Sequence, residues 1–508
     1  MSELSGSSGR ESRHLHQQHK LAKDLTRAAR AGEAQATARL RAAFPGRDRY
    51  RLADAQLVIA REAGFDSWTK LVRHVEQQEL RAAGEALMTG NADELRRLLA
   101  GSEFLRSQIN APHFDFGRRA IHCAAKNAAL IDVLIEFGAD PNVKSDWDKG
   151  PYVPLDDANE ESARHLIARG AVLTPNVAAR LGWIKELREI LDQDPAAVHQ
   201  RGGDGKTPLH EAATAEIVDL LIDRGAVVDE RCIDHKSTPV QYALVSRPAV
   251  CRRLLDRGAA PDIFVAAALG DVELAEKILQ ADASAAGARV DFDGYAPVPP
   301  FNIYCWELGW YKSPRQVALE AGHSAVAELI DRHADERMRL VDAAWAGDAD
   351  AARAILKASP KIVSQLPAQD HKLLAHAAHL RLDAAFFLML ELGFDPMATG
   401  LDGGTALHQA AWTGAADLTE PLLKTGKCDL EQRDPTHGGT PLSWAAHGSV
   451  HCRHEKGDYP RVVEILIMAG ARLDVLANKS GTTLTDQAAG NPDVQRVIEK
   501  FQKARCTT

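Results

Sequence analysis

The sequence lacks the short motifs that usually identify an enzyme. It contains no P-loop, no glycine-rich dinucleotide turn after a strand, no HExxH helix and no GxSxG elbow. No apolar run reaches the roughly 18 residues that a membrane-spanning helix requires, so no membrane partner is predicted. These absences favour a protein that acts by binding, and we predict no catalytic residue and no cofactor.

Cysteine is scarce and its pattern is irregular. The 508 residues include 7 cysteines, an odd number, and no CxxC pair. Scattered thiols without a disulfide framework indicate a reducing compartment, and the first residues carry no hydrophobic stretch of a signal peptide. We therefore expect a cytoplasmic protein. The net charge of −9 argues against duplex nucleic acid as a partner, and a monomer is expected.

What the sequence does contain is a repeating unit. In its clearest copy, Gly203 precedes a Thr-Pro-Leu-His stretch and Gly225 ends the second helix. Thr207 suits a helix N-cap, Pro208 suits the first helical position, and His210 can hydrogen-bond back to the cap. Similar stretches recur at 118–142, 153–171, 236–262, 312–331, 402–426, 438–449 and 480–498.

This pattern resembles the ankyrin repeat, a helix–turn–helix unit whose copies stack on one another. A second kind of unit keeps the helix–Gly–helix core without Thr-Pro-Leu-His, at 85–100, 177–195, 265–283 and 341–360. The resemblance implies an all-α ankyrin-repeat solenoid of about twelve units, with an α-helical N-terminal cap and two insertions. It also implies that a partner protein or peptide contacts the inner helices, which line a concave groove.

Segments of different composition flank and interrupt the repeats. The predicted N-terminal cap resembles the lead-in of a group of bacterial ankyrin-repeat proteins, and its expected role is to shield the first repeat. We predict a disordered tail at 1–20, the helical cap at 21–81, N-terminal repeats at 82–283, an aromatic-rich insertion at 284–312, C-terminal repeats at 313–500 with a second insertion at 448–460, and a tail at 501–508.

Large ring side chains recur every 33 to 35 residues in the C-terminal half, each directly after an Ala-Ala pair. They are Trp345, His379, Trp412 and His447. Three residues earlier in the same repeats lie His376, Gln409 and Trp444. Such spacing places equivalent side chains on one face, so we predict a partner-binding ladder suited to an extended or helical peptide. The alternative is that the tryptophans fill gaps between neighbouring repeats.

The first insertion is rich in aromatic residues, although the whole chain has only 6%. Its rings are Phe292, Tyr295, Phe301, Tyr304, Trp306, Trp310 and Tyr311. One interpretation is an enlarged finger that contacts a partner through Trp306 and Trp310, because tryptophan is enriched at interface hot spots. The other, which we favour for most of these rings, is that they cover an irregular junction between repeats.

The second insertion concentrates possible zinc ligands: His447, His451, Cys452, His454 and Asp458. His447 and His451 have the spacing that can chelate a metal from one helical face, but no second ligand pair accompanies them and Gly448 weakens a helix there. A polar loop is the preferred interpretation. The sequence thus predicts a non-enzymatic protein-interaction scaffold. The alternatives are a metal-dependent enzyme or small-molecule binder using cluster 447–458, and a spacer whose first 80 residues make the contact.

Overall fold

The computed structural model describes residues 15–47, 49–291, 303–474 and 476–505. These residues form α-helices and short 3-10 helices without a strand, apart from one isolated bridge between Phe114 and Arg118. The chain divides into two compact units, Met1–Ala260 and Pro261–Thr508. The predicted all-α class is confirmed.

The first unit contains a cap of long helices followed by short helix pairs. Its helices are α1 Leu15–Arg30, α2 Ala34–Ala43, α3 Leu52–Glu62, α4 Trp68–Met88, α5 Ala92–Gly101, α6 Glu103–Ser107, α7 Ala120–Cys123, α8 Ala128–Glu136, α9 Glu160–Ala168, α10 Pro175–Arg180, α11 Ile184–Gln193, α12 Pro208–Glu211, α13 Ala215–Asp223, α14 Pro239–Ala243 and α15 Pro248–Asp256. Short 3-10 helices precede several pairs, at Asp115–Gly117, Pro154–Asp157, Pro195–His199 and Gly203–Gly205.

The second unit continues with helix pairs of the same kind. Its helices are α16 Ile263–Leu269, α17 Val272–Ala281, α18 Tyr304–Glu307, α19 Pro314–Glu320, α20 Ser324–His333, α21 Glu336–Ala346, α22 Ala349–Ala358, α23 Ala368–His379, α24 Asp383–Leu392, α25 Ala406–Trp412, α26 Ala416–Lys424, α27 Pro441–His451, α28 Tyr459–Met468, α29 Leu484–Gln487 and α30 Pro492–Arg505. Further 3-10 helices lie at Ala283–Gly287, Val363–Gln365 and Leu401–Gly403.

The histidine of the Thr-Pro-Leu-His stretch and its counterparts His122 and His408 each join their repeat to the next one. Nδ1 of His210 accepts a hydrogen bond from the Thr207 amide at 3.0 Å, and its Nε2 lies 3.1 Å from the Ser237 carbonyl oxygen. The carbonyl can only accept, so the proton sits on Nε2 and the imidazole is neutral. Burial lowers the pKa of His210 to about 4, which keeps it neutral. The structural role predicted for this histidine is confirmed.

Both ends of the chain are helical closer to their termini than predicted. Helix α1 begins at Leu15, inside the segment 1–20 that we predicted to be disordered, and the ring of His19 packs edge-on against Trp68 at 5.1 Å. That contact ties the early residues to the cap. At the other end α30 runs to Arg505, inside the predicted tail. Residues 1–14 and 506–508 lie outside the described residues.

Two of the four described rings of the first insertion, those of Tyr304 and Tyr311, pack inward. Tyr304 is fully buried against Phe264, with its hydroxyl donating to Asp262 at 3.0 Å. Tyr311 is also buried and stacks on His376 with ring centroids 3.7 Å apart. The preferred interpretation of these rings, a covered junction, is thereby confirmed for the two tyrosines. Phe292, Tyr295 and Phe301 lie outside the described residues.

The second insertion extends an inner helix instead of forming a loop throughout. Helix α27 continues through Gly448 to His451, so the prediction that this glycine weakens the helix is wrong. The reason is packing: a β-carbon at Gly448 would overlap the carbonyl oxygen of Trp412, and only glycine lets α27 approach the end of α25 so closely. A short loop follows before α28 begins at Tyr459.

Candidate functional site

The second unit contains a pocket of about 370 Å³ beside its inner helices, which we call the tryptophan pocket. Its lining residues come from α23, α25, α27 and α29 and from the turns between repeats. They are His379, Leu401, Asp402, Gln409, Trp412, His437, Gly439, Ser443, Trp444, His447, Ala477, Asn478 and Gln487. The pocket thus brings together most of the predicted ladder: His379, Gln409, Trp412, Trp444 and His447.

Two indoles and an imidazole form the apolar wall of the tryptophan pocket. The rings of Trp412 and Trp444 meet edge-to-face with centroids 6.2 Å apart, an arrangement that aromatic pairs favour. The imidazole of His447 lies 5.7 Å from the ring of Trp412. Trp412 ends α25 and remains half-buried, whereas Trp444 is buried in the middle of α27. Trp412 is therefore the indole that remains available to a ligand.

A buried carboxylate fixes the orientation of Trp444. Its indole Nε1 donates to Oδ2 of Asp434 at 2.9 Å, and the same oxygen accepts from the Gly439 amide at 2.7 Å. Burial alone would raise the pKa of Asp434, but these hydrogen bonds and one from the His437 amide outweigh it and lower the pKa. The wall of the pocket is thus held rigidly by groups on the turn that precedes α27.

A relay of hydrogen bonds orients His379 at the other end of the tryptophan pocket. The side-chain amide of Gln409 donates to the Leu401 carbonyl at 2.8 Å, which turns its oxygen toward Nδ1 of His379 at 2.8 Å. Nδ1 must then carry the proton, so Nε2 is left as an acceptor. Burial lowers the pKa of His379, an effect that the bond to Gln409 only partly offsets. A ligand therefore meets a neutral imidazole.

The rim of the tryptophan pocket comes from turns that the spacing of the ladder did not predict. Nε2 of His437 lies 4.0 Å from a carboxylate oxygen of Asp402, and both side chains are exposed. Each of them stands three residues before the threonine that caps the inner helix of its repeat, Thr405 or Thr440. That shared offset in the sequence could have identified both residues as neighbours of the pocket. Burial also lowers the pKa of His447, with His451 adding to the effect.

The remaining predicted residues do not join the tryptophan pocket. Trp345 is only 6% exposed and packs against Tyr311 at 5.7 Å, so the prediction that it faces a groove is wrong. His376 is buried under the same tyrosine. Trp306 is 56% exposed and lies 6.0 Å from the half-buried Trp310, so this pair is placed near the surface but apart from the pocket.

The possible zinc ligands of the second insertion are not gathered around one point. The rings of His447 and His451 lie 4.1 Å apart on one face of α27, but neither Cys452 nor His454 joins them as a ligand group. Across the described residues, the three groups whose ligand atoms fall within 4.8 Å of one another are Asp204, Asp234 and His235. Asp204 already accepts from the Tyr152 hydroxyl, and Tyr242 lies 3.0 Å from Nδ1 of His235.

Comparison with known families agrees with the helix pairs and their histidine links. A family model described as ankyrin repeats (3 copies) matches residues 176–265. The chain contains ankyrin repeats. Ankyrin repeats generally serve as protein–protein interaction modules. The matched residues run from α10 to the start of α16, so most of them belong to the first unit, and they include the repeat of His210.

Relatives share parts of this ankyrin-repeat chain. It is 26% identical over 369 residues to the ankyrin repeat domain-containing protein SAT10 of Stachybotrys chartarum, which covers 67% of this chain and 17% of that protein. It is 32% identical over 101 residues to the ankyrin repeat and KH domain-containing protein mask-1 of Caenorhabditis elegans. It is 44% identical over 57 residues to protein PhlB of Serratia liquefaciens. The last two matches cover 4% and 25% of those proteins.

None of the helices in the described part of the chain is both long and apolar enough to cross a lipid bilayer.

Proposed function

We propose that this ankyrin-repeat protein is a non-enzymatic scaffold that binds a segment of a partner protein at the tryptophan pocket. The observation that supports this proposal most is the half-buried indole of Trp412, which stands over an open pocket of about 370 Å³. An apolar surface left open to solvent is usually kept because it binds something. The proposal includes a cytoplasmic monomer without a nucleic-acid partner, supported by the net charge of −9 and the scattered cysteines.

The lining of the tryptophan pocket suggests what the partner presents. Its apolar wall suits one large apolar side chain, which the rings of Trp412 and His447 would flank. Its lining also has an acceptor at Nε2 of His379 and the side-chain amides of Asn478 and Gln487, which each keep further hydrogen-bonding capacity beside their bonds to Ser480 and Thr482. Such groups can pair with the main-chain amide and carbonyl of an extended peptide. The partner segment should therefore combine an apolar anchor with an accessible backbone.

Replacing Trp412 with alanine should weaken peptide binding by about thirtyfold, since truncating an interface tryptophan at a hot spot costs about 2 kcal/mol or more. Peptides selected from a displayed random library on the wild-type protein would supply the ligands, and fluorescence anisotropy would measure their affinities. The matched control is Phe387→Ala, which removes an aromatic ring 42% exposed on α24, outside the pocket.

A second variant separates binding from folding. Trp412→Phe keeps an aromatic ring at the end of α25 and should bind selected peptides more tightly than Trp412→Ala does. Circular dichroism would establish that all three variants retain wild-type helicity. Equal peptide affinities for the wild type and for a folded Trp412→Ala protein would refute the proposed pocket.

A further inference from the structure

The first unit holds a second pocket, of about 260 Å³, which we call the charged pocket. It occupies the same places in its repeats as the tryptophan pocket does: Arg180 directly follows an Ala-Ala pair, as Trp412 does, and Glu211 matches Gln409. Its lining residues are Arg118, Tyr152, Asp156, Asp157, Asn176, Arg180, Gly203, Lys206 and Glu211. The character of the pocket, however, is polar and ionic instead of aromatic.

The ionic groups of the charged pocket balance one another. Nζ of Lys206 lies 2.6 Å from a carboxylate oxygen of Glu211, and Nη2 of Arg118 lies 3.4 Å from Oδ2 of Asp157. The third base is Arg180, whose Nη2 donates to the carbonyl oxygens of two residues on the neighbouring repeat. The third acid is Asp156, which accepts from the Val153 amide at 2.8 Å. Three bases and three acids leave no net charge.

Several buried polar atoms in this lining have no hydrogen-bond partner among the described residues. They are Nε of Arg118, Nε of Arg180, Oδ1 of Asn176 and Oδ2 of Asp157. Asn176 is only 4% exposed, and its amide nitrogen is held by the Lys206 carbonyl at 2.9 Å, so its orientation is fixed. A buried polar group without a partner costs free energy, and the cost is larger when the group is charged. The pocket therefore has two donors and two acceptors without a hydrogen bond, and one of these acceptors, Oδ2 of Asp157, takes part in the ion pair with Arg118.

We propose that the charged pocket binds a small zwitterion of amino-acid size, with its carboxylate against the two Nε–H groups and its ammonium against Asn176 and Asp157. A simple anion would satisfy the arginines but would face three acids. A simple cation would pair with the acids but would face three bases. A ligand that carries both charges pairs with both sets of atoms and leaves the balance of the pocket unchanged. This site is independent of the tryptophan pocket.

Isothermal titration of the full-length protein with each of the twenty free α-amino acids tests the proposal. At least one should bind with a stoichiometry of one. For that amino acid, its N-acetyl and its carboxamide derivatives should each bind at least about tenfold more weakly, because each loses one charged hydrogen-bonding end. Glycerol and glucose serve as neutral polar probes and should not bind.

Two variants locate the site. Arg118→Met removes a donor, and Asp157→Asn removes an acceptor charge with little change of shape; each should weaken binding about tenfold or more. The control Arg97→Met removes an arginine from the surface of α5 and should leave affinity unchanged. The proposal is overturned if folded wild-type protein binds no amino acid at about 10 mM, if blocked derivatives or glucose bind equally well, or if both pocket variants keep wild-type affinity.

Discussion

Replacing Gly448 with alanine should lower the free energy of unfolding of the second unit by about 1–3 kcal/mol. Alanine is the better helix former by about 1 kcal/mol, so helix propensity alone predicts the opposite sign. Packing decides the outcome, because the new methyl group would overlap the carbonyl oxygen of Trp412. That oxygen already accepts a hydrogen bond from the Tyr459 hydroxyl at 3.2 Å and is not free to move.

The chain provides a matched control for this substitution. Gly84 also lies inside a helix, α4, but a β-carbon there would have no neighbour within 4 Å. Gly84→Ala should therefore stabilise the protein by about 1 kcal/mol. Urea denaturation with hydrogen exchange across α27 and α4 would report both effects locally. Stabilisation by alanine at both positions would show that α27 does not pack against α25 as described.

Acidification should destabilise the second unit through His376. Burial, with smaller effects of His379 and Lys372, lowers the pKa of this imidazole to about 3 in the folded protein, against 6.5 for a free side chain. The unfolded chain therefore takes up a proton first as the pH falls. Stability is complete above pH 6.5 and is lost progressively between pH 6.5 and about 3, at about 1.4 kcal/mol per pH unit.

The variant His376→Phe isolates this effect. A phenyl ring keeps the stack on Tyr311 but cannot take up a proton. Other buried histidines, including His408, contribute a similar acid dependence to both proteins. Between pH 6.5 and 4.5 the free energy of unfolding should fall by about 2–3 kcal/mol more in the wild type than in the variant. Urea denaturation at each pH would measure both values. Equal losses of unfolding free energy in the two proteins would mean that His376 can be protonated in the folded state without destabilising it.

The helices and the inner-helix half of the tryptophan pocket could be predicted from sequence because their causes are local. The cap, proline and histidine around Thr207 determine where a helix starts, and the stacking of equal repeats aligns His379, Trp412 and His447. Spacing could not reveal that Trp345 is covered, since the ring that covers it, Tyr311, comes from an irregular insertion. Helix propensity also could not explain why glycine lies inside α27, because Gly448 is required by the close contact between α27 and α25.

The charged pocket was missed for a related reason. Arg180 and Glu211 look like ordinary surface charges in the sequence, because charged side chains on repeat proteins are usually solvated. Both are half-buried in the structure, and the turns before the helices contribute Tyr152 and Gly203 to the lining of the same pocket. A β-carbon on Gly203 would overlap the ring of Tyr152, so the close contact between these two residues requires glycine at position 203.

The way the tryptophan pocket is assembled limits how this gene can change. Repeat proteins commonly gain, lose or exchange whole repeats, because each unit contacts only its neighbours. The lining of this pocket, however, is drawn from consecutive repeats between His379 and Gln487. Recombination inside that span would divide the pocket, whereas exchange outside it would leave the pocket whole. These repeats should therefore be inherited together as one block.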